Sequence, residues 1–407
     1  MIAWNNLRNG TCADARMTVP PKDRRAALRF IVCFGLVSLF ADMTYEGARG
    51  VIGPYLRGLG ASAVVVGLVA GFGEMLAASL RYFSGKLADR TRAYWTITVA
   101  GYALTLAVVP LLAFVGSWQM AALLVITERT GKALRGPARD VLLSEATEVV
   151  GHGFGFGLHG AMDKTGGVLG PLLMAAVIAQ TQHIGPAFLA LGIPAAFALL
   201  SIYLAFAMRP GKAAHPPARA PQEIPKVFWT YVAAAGLLAM GFLDFPLLGY
   251  HFEKTAMFKS EVIPLLYAAA MAMDGLSALV FGHLFDRYGI RVLAFGVVLS
   301  ILMLPLGLLF GPVGAVLSVL CWGAGMGVQD ASLRSGIAQV VSMNKRGTAF
   351  GAFNGIYGVM WFAGSALMGL LYDHSLVTLV MFGVVAQAIA AVMFFRLSGA
   401  LAAARSA

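Results

Sequence analysis

Two stretches decide the reading of this chain: Gly85-Lys86-Leu87-Ala88-Asp89-Arg90-Thr91-Arg92, and Gly282-His283-Leu284-Phe285-Asp286-Arg287-Tyr288-Gly289-Ile290-Arg291. Each has Gly, three residues, then Asp-Arg, and each follows an apolar segment long enough to cross a bilayer, which takes about 20 apolar residues. The same pattern at matching places in the two halves of a chain marks an internal repeat. Working outward, apolar segments fall at about 28–54, 61–84, 94–115, 117–138, 155–180 and 184–207. They resume at about 227–250, 261–283, 291–311, 313–336, 348–371 and 376–397. The charged stretch follows the second segment of each set. The pattern predicts an all-α membrane protein of about twelve transmembrane helices, arranged as two six-helix pseudo-symmetric bundles.

The break between the halves holds Pro210, Pro216, Pro217, Pro221 and Pro225 with Lys212 and Arg219, and has no apolar period. It reads as a solvated linker. The expected organisation is an N-terminal tail (1–27), a first bundle (28–208), a linker (209–226), a second bundle (227–398) and a C-terminal tail (399–407). The opening tail is polar and basic, and the apolar segment after it is too long for a cleaved leader.

Composition agrees. The 407 residues are 59% hydrophobic and only 12% charged, against about a quarter charged in a soluble domain. Mean hydropathy is +0.78. The net charge of +11 fits the positive-inside rule better than nucleic-acid binding. Lys22, Arg24, Arg25, Lys86, Arg90, Arg92, Arg135, Arg139, Arg209, Lys212, Arg219, Lys226, Arg287, Arg291, Lys345, Arg346 and Arg405 fall in the segments on one side. The loops on the other side hold only Arg57, Lys254 and Lys259. This asymmetry predicts both termini in the cytoplasm of a bacterial cell, with the chain multi-pass in its inner (plasma) membrane. Cys12, Cys33 and Cys321 have no metal-type spacing and read as free thiols.

The first half carries Asp42, Glu46, Arg49, Glu74, Arg81, Glu128, Arg129, Lys132, Asp163 and Lys164 inside predicted spans. Each would cost about 3 kcal/mol at the centre of a lipid-facing helix. Ten would cost roughly 30 kcal/mol, beyond the ~5–15 kcal/mol that holds a typical fold together. They therefore line a cavity, pair with one another, or sit near helix ends. Asp42, Glu46 and Arg49 lie at i, i+4 and i+7, within about 60° of one helix face. Glu74 and Arg81 share a face, as do Glu128, Lys132 and Arg135; Lys132 and Arg135 lie nearer the cytoplasm, as site residues or as snorkelling anchors. The second half offers Asp244, Asp274, Asp330 and Arg334, so the chemistry is expected mainly in the first half. His159, Phe242, Phe245, Tyr357 and Trp361 read by default as packing residues.

The two Gly-x-x-x-Asp-Arg stretches resemble motif A of the major facilitator superfamily. The resemblance implies a gating role for Gly85, Asp89 and Arg90, and for Gly282, Asp286 and Arg287. The first copy has Thr91 where Gly is usual. The fifth span, with Gly157, Gly166, Gly170 and Pro171, is similar to motif C, which is associated with antiporters of that superfamily; Met174 and Ala175 replace its closing Gly-Gly. Glu128-Arg129 matches part of motif B, with Ala133 in place of its Gly. The resemblance covers about residues 28–398. It implies a secondary transporter working by alternating access on a small-molecule substrate.

A carboxylate in a low-dielectric cavity is pushed toward its neutral form, and a nearby base pushes it back. Moving the base during transport would bind or release a proton. Glu46 with Arg49, and Glu128 with Arg129 or Lys132, are suitable pairs; Glu128 is the first choice of proton carrier and Asp42 the second. The leading expectation is a monomeric, proton-coupled antiporter that exports a small organic solute. The rival is a proton-coupled importer of an organic anion, with Arg49, Arg81, Arg129 and Lys164 as the anion's partners. A further alternative is a non-transporting sensor or adaptor on this scaffold, against which the short loops count. Enzyme motifs, a Walker sequence and clustered His ligands are absent, so no enzyme activity, cofactor or metal is expected. Gly155-x-Gly157-x-x-Gly160 spells a dinucleotide fingerprint but follows no strand.

Overall fold

The computed structural model describes residues 21–208, 224–341 and 346–406. The N-terminal tail up to residue 20, most of the expected linker, Cys12 and Lys345 lie outside the described residues. Those residues form fifteen α-helices and no strand. The first half comprises α1 (Pro21–Arg49), α2 (Ile52–Gly58), α3 (Ala63–Thr91), α4 (Tyr94–Leu111), α5 (Trp118–Val150), α6 (His152–Thr181), α7 (Ile184–Ala190) and α8 (Gly192–Ala207). The second comprises α9 (Lys226–Met240), α10 (Phe245–Lys254), α11 (Val262–Tyr288), α12 (Arg291–Leu309), α13 (Gly311–Val340), α14 (Arg346–His374) and α15 (Leu376–Ser406).

Eleven segments among the described residues are long and apolar enough to cross a membrane, α7–α8 and α9–α10 each counting as one. The twelfth is α5, which packs along α3 and α4. It is less apolar than the others because Glu128, Arg129, Lys132 and Arg135 fall on it. Those four are sheltered from the helix surroundings, with Glu128, Arg129 and Arg135 buried. Their cost in lipid therefore does not arise. The helix also continues well past the expected end of its span, so Arg139 is a helical residue rather than a loop residue.

The first spanning segment of each half is broken. After α1 the chain turns at Gly50 and Val51 before α2; after α9 it turns at residues 241–244 before α10. Asp244 caps α10 by accepting a hydrogen bond from the Phe245 amide at 3.0 Å, a standard way to satisfy a helix N-terminus. The broken ends, α2 and α10, cross at Gly53, which lies against the backbone of Pro246 and Tyr250 so closely that any side chain would collide. Around this crossing a single apolar cluster draws Ile52, Tyr55, Phe188, Leu247, Tyr250 and Tyr372 from both bundles. The Tyr55 ring meets Phe188 edge-on at 4.9 Å, and its hydroxyl donates to the Leu112 carbonyl at 2.5 Å. The bundles are thus sealed at this end. They also touch along α3 with α14 and along α6 with α11.

Within the first bundle α1 and α6 approach most closely. Gly166 and Gly170 of α6 rest on the backbone of Leu39 and Met43 of α1, the use of small residues expected where membrane helices pack tightly. In the second bundle Gly323 and Gly327 of α13 rest in the same way on Ala270 and Asp274 of α11.

Candidate functional site

A cavity of about 510 Å³ lies between the bundles, walled off from the α2–α10 seal and reaching toward the end that bears the motif A stretches. Its size is that of a small-molecule site. Eight of the ten charged residues singled out in the first half line it: Asp42, Glu46, Arg49, Glu74, Arg81, Lys132, Asp163 and Lys164. Glu128 and Arg129 do not. They sit behind the wall in a small side pocket next to Arg49 and Tyr45.

The close contact at Gly166 and Gly170 sets the first part of the site. It brings Asp42, one residue before Met43, against Asp163, one turn before Gly166. The two carboxyl groups thus face the same cavity from α1 and α6, at the closest approach of these helices. Two carboxyls can share a hydrogen bond only if one carries a proton. Around this pair stand Tyr45 and Glu46 of α1, Lys132 and Arg139 of α5, and His159 of α6. His159 is buried and engaged with the Ser38 hydroxyl at 2.9 Å; it ties α1 to α6 and does not reach Asp163 as a hydrogen-bond partner.

The second part is an ion network. Arg49 reaches Glu74 at 3.1 Å and Asp244 at 3.2 Å, and lies 4.0 Å from Glu46. Glu46 also faces Lys132 at 3.6 Å and accepts a hydrogen bond from the Tyr267 hydroxyl at 2.5 Å. Arg129 lies 3.7 Å from Glu74 and 3.3 Å from Glu128. Glu128 therefore pairs with its chain neighbour and not with Lys132, whose ammonium instead caps the Tyr45 ring at 3.9 Å. The adjacent-helix partners win because Lys132 points into the cavity while Glu128 points behind it.

A third part joins the halves on the other side. Lys164 of α6 forms ion pairs with Asp274 of α11 and with Asp330 of α13, the latter at 3.1 Å. With Arg49–Asp244 and Glu46–Tyr267, the interface thus has two charged seams. Asp244 and Tyr267 are fully part of the network, though composition pointed to the first half. Tyr267 and Tyr45 carried no signal in the sequence; nothing in spacing distinguishes a tyrosine that faces a carboxylate from one that packs. Phe242 and Phe245 are buried among aromatic neighbours around Trp322, whereas Tyr357 and Trp361 face the cavity.

Arg135 is buried, with 2% of its surface exposed. That excludes a snorkelling role. Its guanidinium sits 4.0 Å from the Tyr102 ring centre, and its Nε and one Nη have no hydrogen-bond partner. The motif A residues lie at the open end: Asp89, Arg90, Asp286 and Arg287 are exposed. Asp89 accepts from Tyr94 of its own bundle at 3.1 Å, and Asp286 makes no ion pair among the described residues. Gly85 lies near Pro137 of α5 and Gly282 near Ala331 of α13. Of the motif C residues, Gly166 and Gly170 carry the α1–α6 contact, Pro171 follows inside α6, and Gly157 is exposed with open space beside it. Among the described residues no cluster of His, Cys, Asp and Glu could hold a metal.

Two helical bundles around a central charged cavity, closed at one end, define a membrane transporter rather than an enzyme. The family model of the Major Facilitator Superfamily matches residues 34–365, and the chain belongs to that family. An uncharacterized protein of Mycobacterium tuberculosis is 42% identical over 397 residues, covering 95% of this chain and 97% of that one. An uncharacterized MFS-type transporter of Methanocaldococcus jannaschii is 22% identical over 381 residues, covering 89% and 93%. Among solved structures, the nucleoside transporter NupG matches with a TM-score of 0.65 at 16% identity, covering 92% of this chain and 98% of that one. A bacterial homolog of the human lysosomal transporter Spinster matches with a TM-score of 0.68 at 14% identity, covering 92% and 97%. At these identities the structural matches speak to the fold.

Proposed function

We propose that the protein is a proton-coupled antiporter that exports a small organic solute from a bacterial cell, acting as a monomer in the inner membrane with both termini cytoplasmic. In this orientation the motif A end faces the cytoplasm and the cavity is open inward. The proposed units are the first bundle at 28–208 and the second at 227–398, joined by the 209–226 linker. The observation that carries the proton reading is the placement of Asp42 and Asp163 together on the cavity wall, where α1 and α6 approach most closely. One proton held between two carboxyls, with Lys132 alongside, is a group whose occupancy follows the position of the base. A shift of α5 within the first bundle that brings Lys132 closer would expel the proton; its withdrawal would recover it. Motif C supports the antiport direction, since Gly166 and Gly170 bring the two carboxyls together.

Glu128 is replaced as first choice of carrier by the Asp42–Asp163 pair, because Glu128 lies off the cavity and is paired with Arg129. The motif A residues keep their proposed gating role: in a cycle that closes the cytoplasmic end, Asp89 and Asp286 would find partners across the bundles.

The test is direct. Purified protein in liposomes with a pH-sensitive dye inside is screened against amino acids, nucleosides, short peptides and organic acids. A transported compound should move protons in the direction opposite to its own flux. Uptake of a radiolabelled hit with no proton movement would contradict the coupling and leave the transporter reading in place.

A further inference from the structure

The internal pairs leave some cations of the cavity unclaimed. Arg49, Arg129 and Lys164 are consumed by Glu74, Asp244, Glu128, Asp274 and Asp330. Arg139 is held by its neighbour Asp140 at 2.9 Å. Three arginines on the cavity wall form no ion pair among the described residues: Arg81 of α3, Arg135 of α5 and Arg334 of α13. Buried nitrogens point to an unmet need. The Nε of Arg81, and the Nε and one Nη of Arg135, are shielded from solvent without a hydrogen-bond partner. A buried guanidinium without acceptors is expensive. Arg81 shares the cavity wall with two further cations, Arg334 from the opposite bundle and Arg139.

We propose that Arg81, Arg135 and Arg334 form the binding site for a small soluble polyanion, carrying two or three carboxylate or phosphate groups, at the mouth of the cavity. This deepens the transport reading, on which it rests, by naming the substrate class. Guanidinium groups bind such anions in bidentate fashion. Because Arg334 belongs to the second bundle and the other two to the first, the site spans the interface. Without an anion, like charges face each other across the mouth and hold it open. An anion between them converts that repulsion into attraction from both sides, so binding favours closure. The substrate itself would then license the switch, as alternating access requires a ligand that prefers one state over the other.

Thermal unfolding of the purified full-length protein in detergent tests this with no pH gradient present. The outcome is therefore independent of whether protons are coupled. Citrate and inorganic phosphate are titrated separately against sodium chloride at matched ionic strength, and phosphatidylglycerol is titrated as a separate arm. Citrate should raise the midpoint by about 3 °C at saturation, and phosphate by less. Arg334→Gln, at an exposed position that tolerates change, should weaken the citrate response about tenfold or more, as should Arg81→Gln. Arg334→Lys should retain part of it. An equal response to citrate and sodium chloride would overturn the proposal. So would a citrate response unchanged in both glutamine variants, or a response confined to phosphatidylglycerol, which would make the cluster a lipid headgroup contact.

Discussion

The two bundles break their first spanning helix at corresponding places, yet the breaks carry opposite charges. The first bundle presents Arg49 at the end of α1; the second presents Asp244 just before α10. The two side chains meet at 3.2 Å. The repeat is thus kept in the backbone and abandoned in the chemistry. The first bundle holds a dense set of acids and bases that mostly answer one another. The second contributes an aromatic wall (Trp322, Tyr357 and Trp361) and three carboxylates that meet first-bundle cations. The difference separates two jobs: the first bundle carries the ionisable machinery, and the second supplies latches that engage it.

Removing the hub and removing its latch should therefore differ. Arg49→Gln strips the cationic partner from buried Asp244 and leaves Glu74 with Arg129 alone. It should lower stability by about 3 kcal/mol or more, read as thermal unfolding in detergent. Asp244→Asn leaves Arg49 with Glu74 and keeps an amide oxygen to cap α10, so it should cost about 1–2 kcal/mol. Equal losses in the two variants would break the asymmetry. Smaller still should be the stability effect of Asp89→Asn and Asp286→Asn, both exposed at the open end; about 0.5 kcal/mol or less is expected. Transport should nonetheless slow in both, more in Asp89→Asn. Unimpaired transport in the double variant would reduce motif A to a pair of charged anchors.

Much of the fold was readable from the repeat and from hydropathy, because about 20 apolar residues between charged turns have few other uses. The helix breaks were not. Gly50 and the 241–244 turn sit inside apolar runs, and only tertiary contact at Gly53 explains why the chain bends there. In the site, helical periodicity grouped Asp42, Glu46 and Arg49 on one face, and all three line the cavity. It assigned Lys132 to Glu128 because the two are one turn apart, yet long-range geometry gives Lys132 to Glu46. Arg135 read as a possible anchor because depth estimated from sequence ignores that α5 is shielded by α1, α3 and α4. Partners across the bundles, such as Asp274 for Lys164, lie over a hundred residues away and leave no periodic trace.

The central claim is that the Asp42–Asp163 pair carries the coupling proton. It is tested most directly with one identified substrate and two assays in the same liposomes: accumulation driven by a pH gradient, and counterflow exchange without one. Asp42→Asn and Asp163→Asn each fix one carboxyl in a neutral form. Each should abolish gradient-driven accumulation while leaving counterflow substantially intact, because exchange requires no net proton release. Glu128→Gln should accumulate substrate as the parent does. Accumulation that survives in both asparagine variants, or that fails in Glu128→Gln alone, would contradict the account.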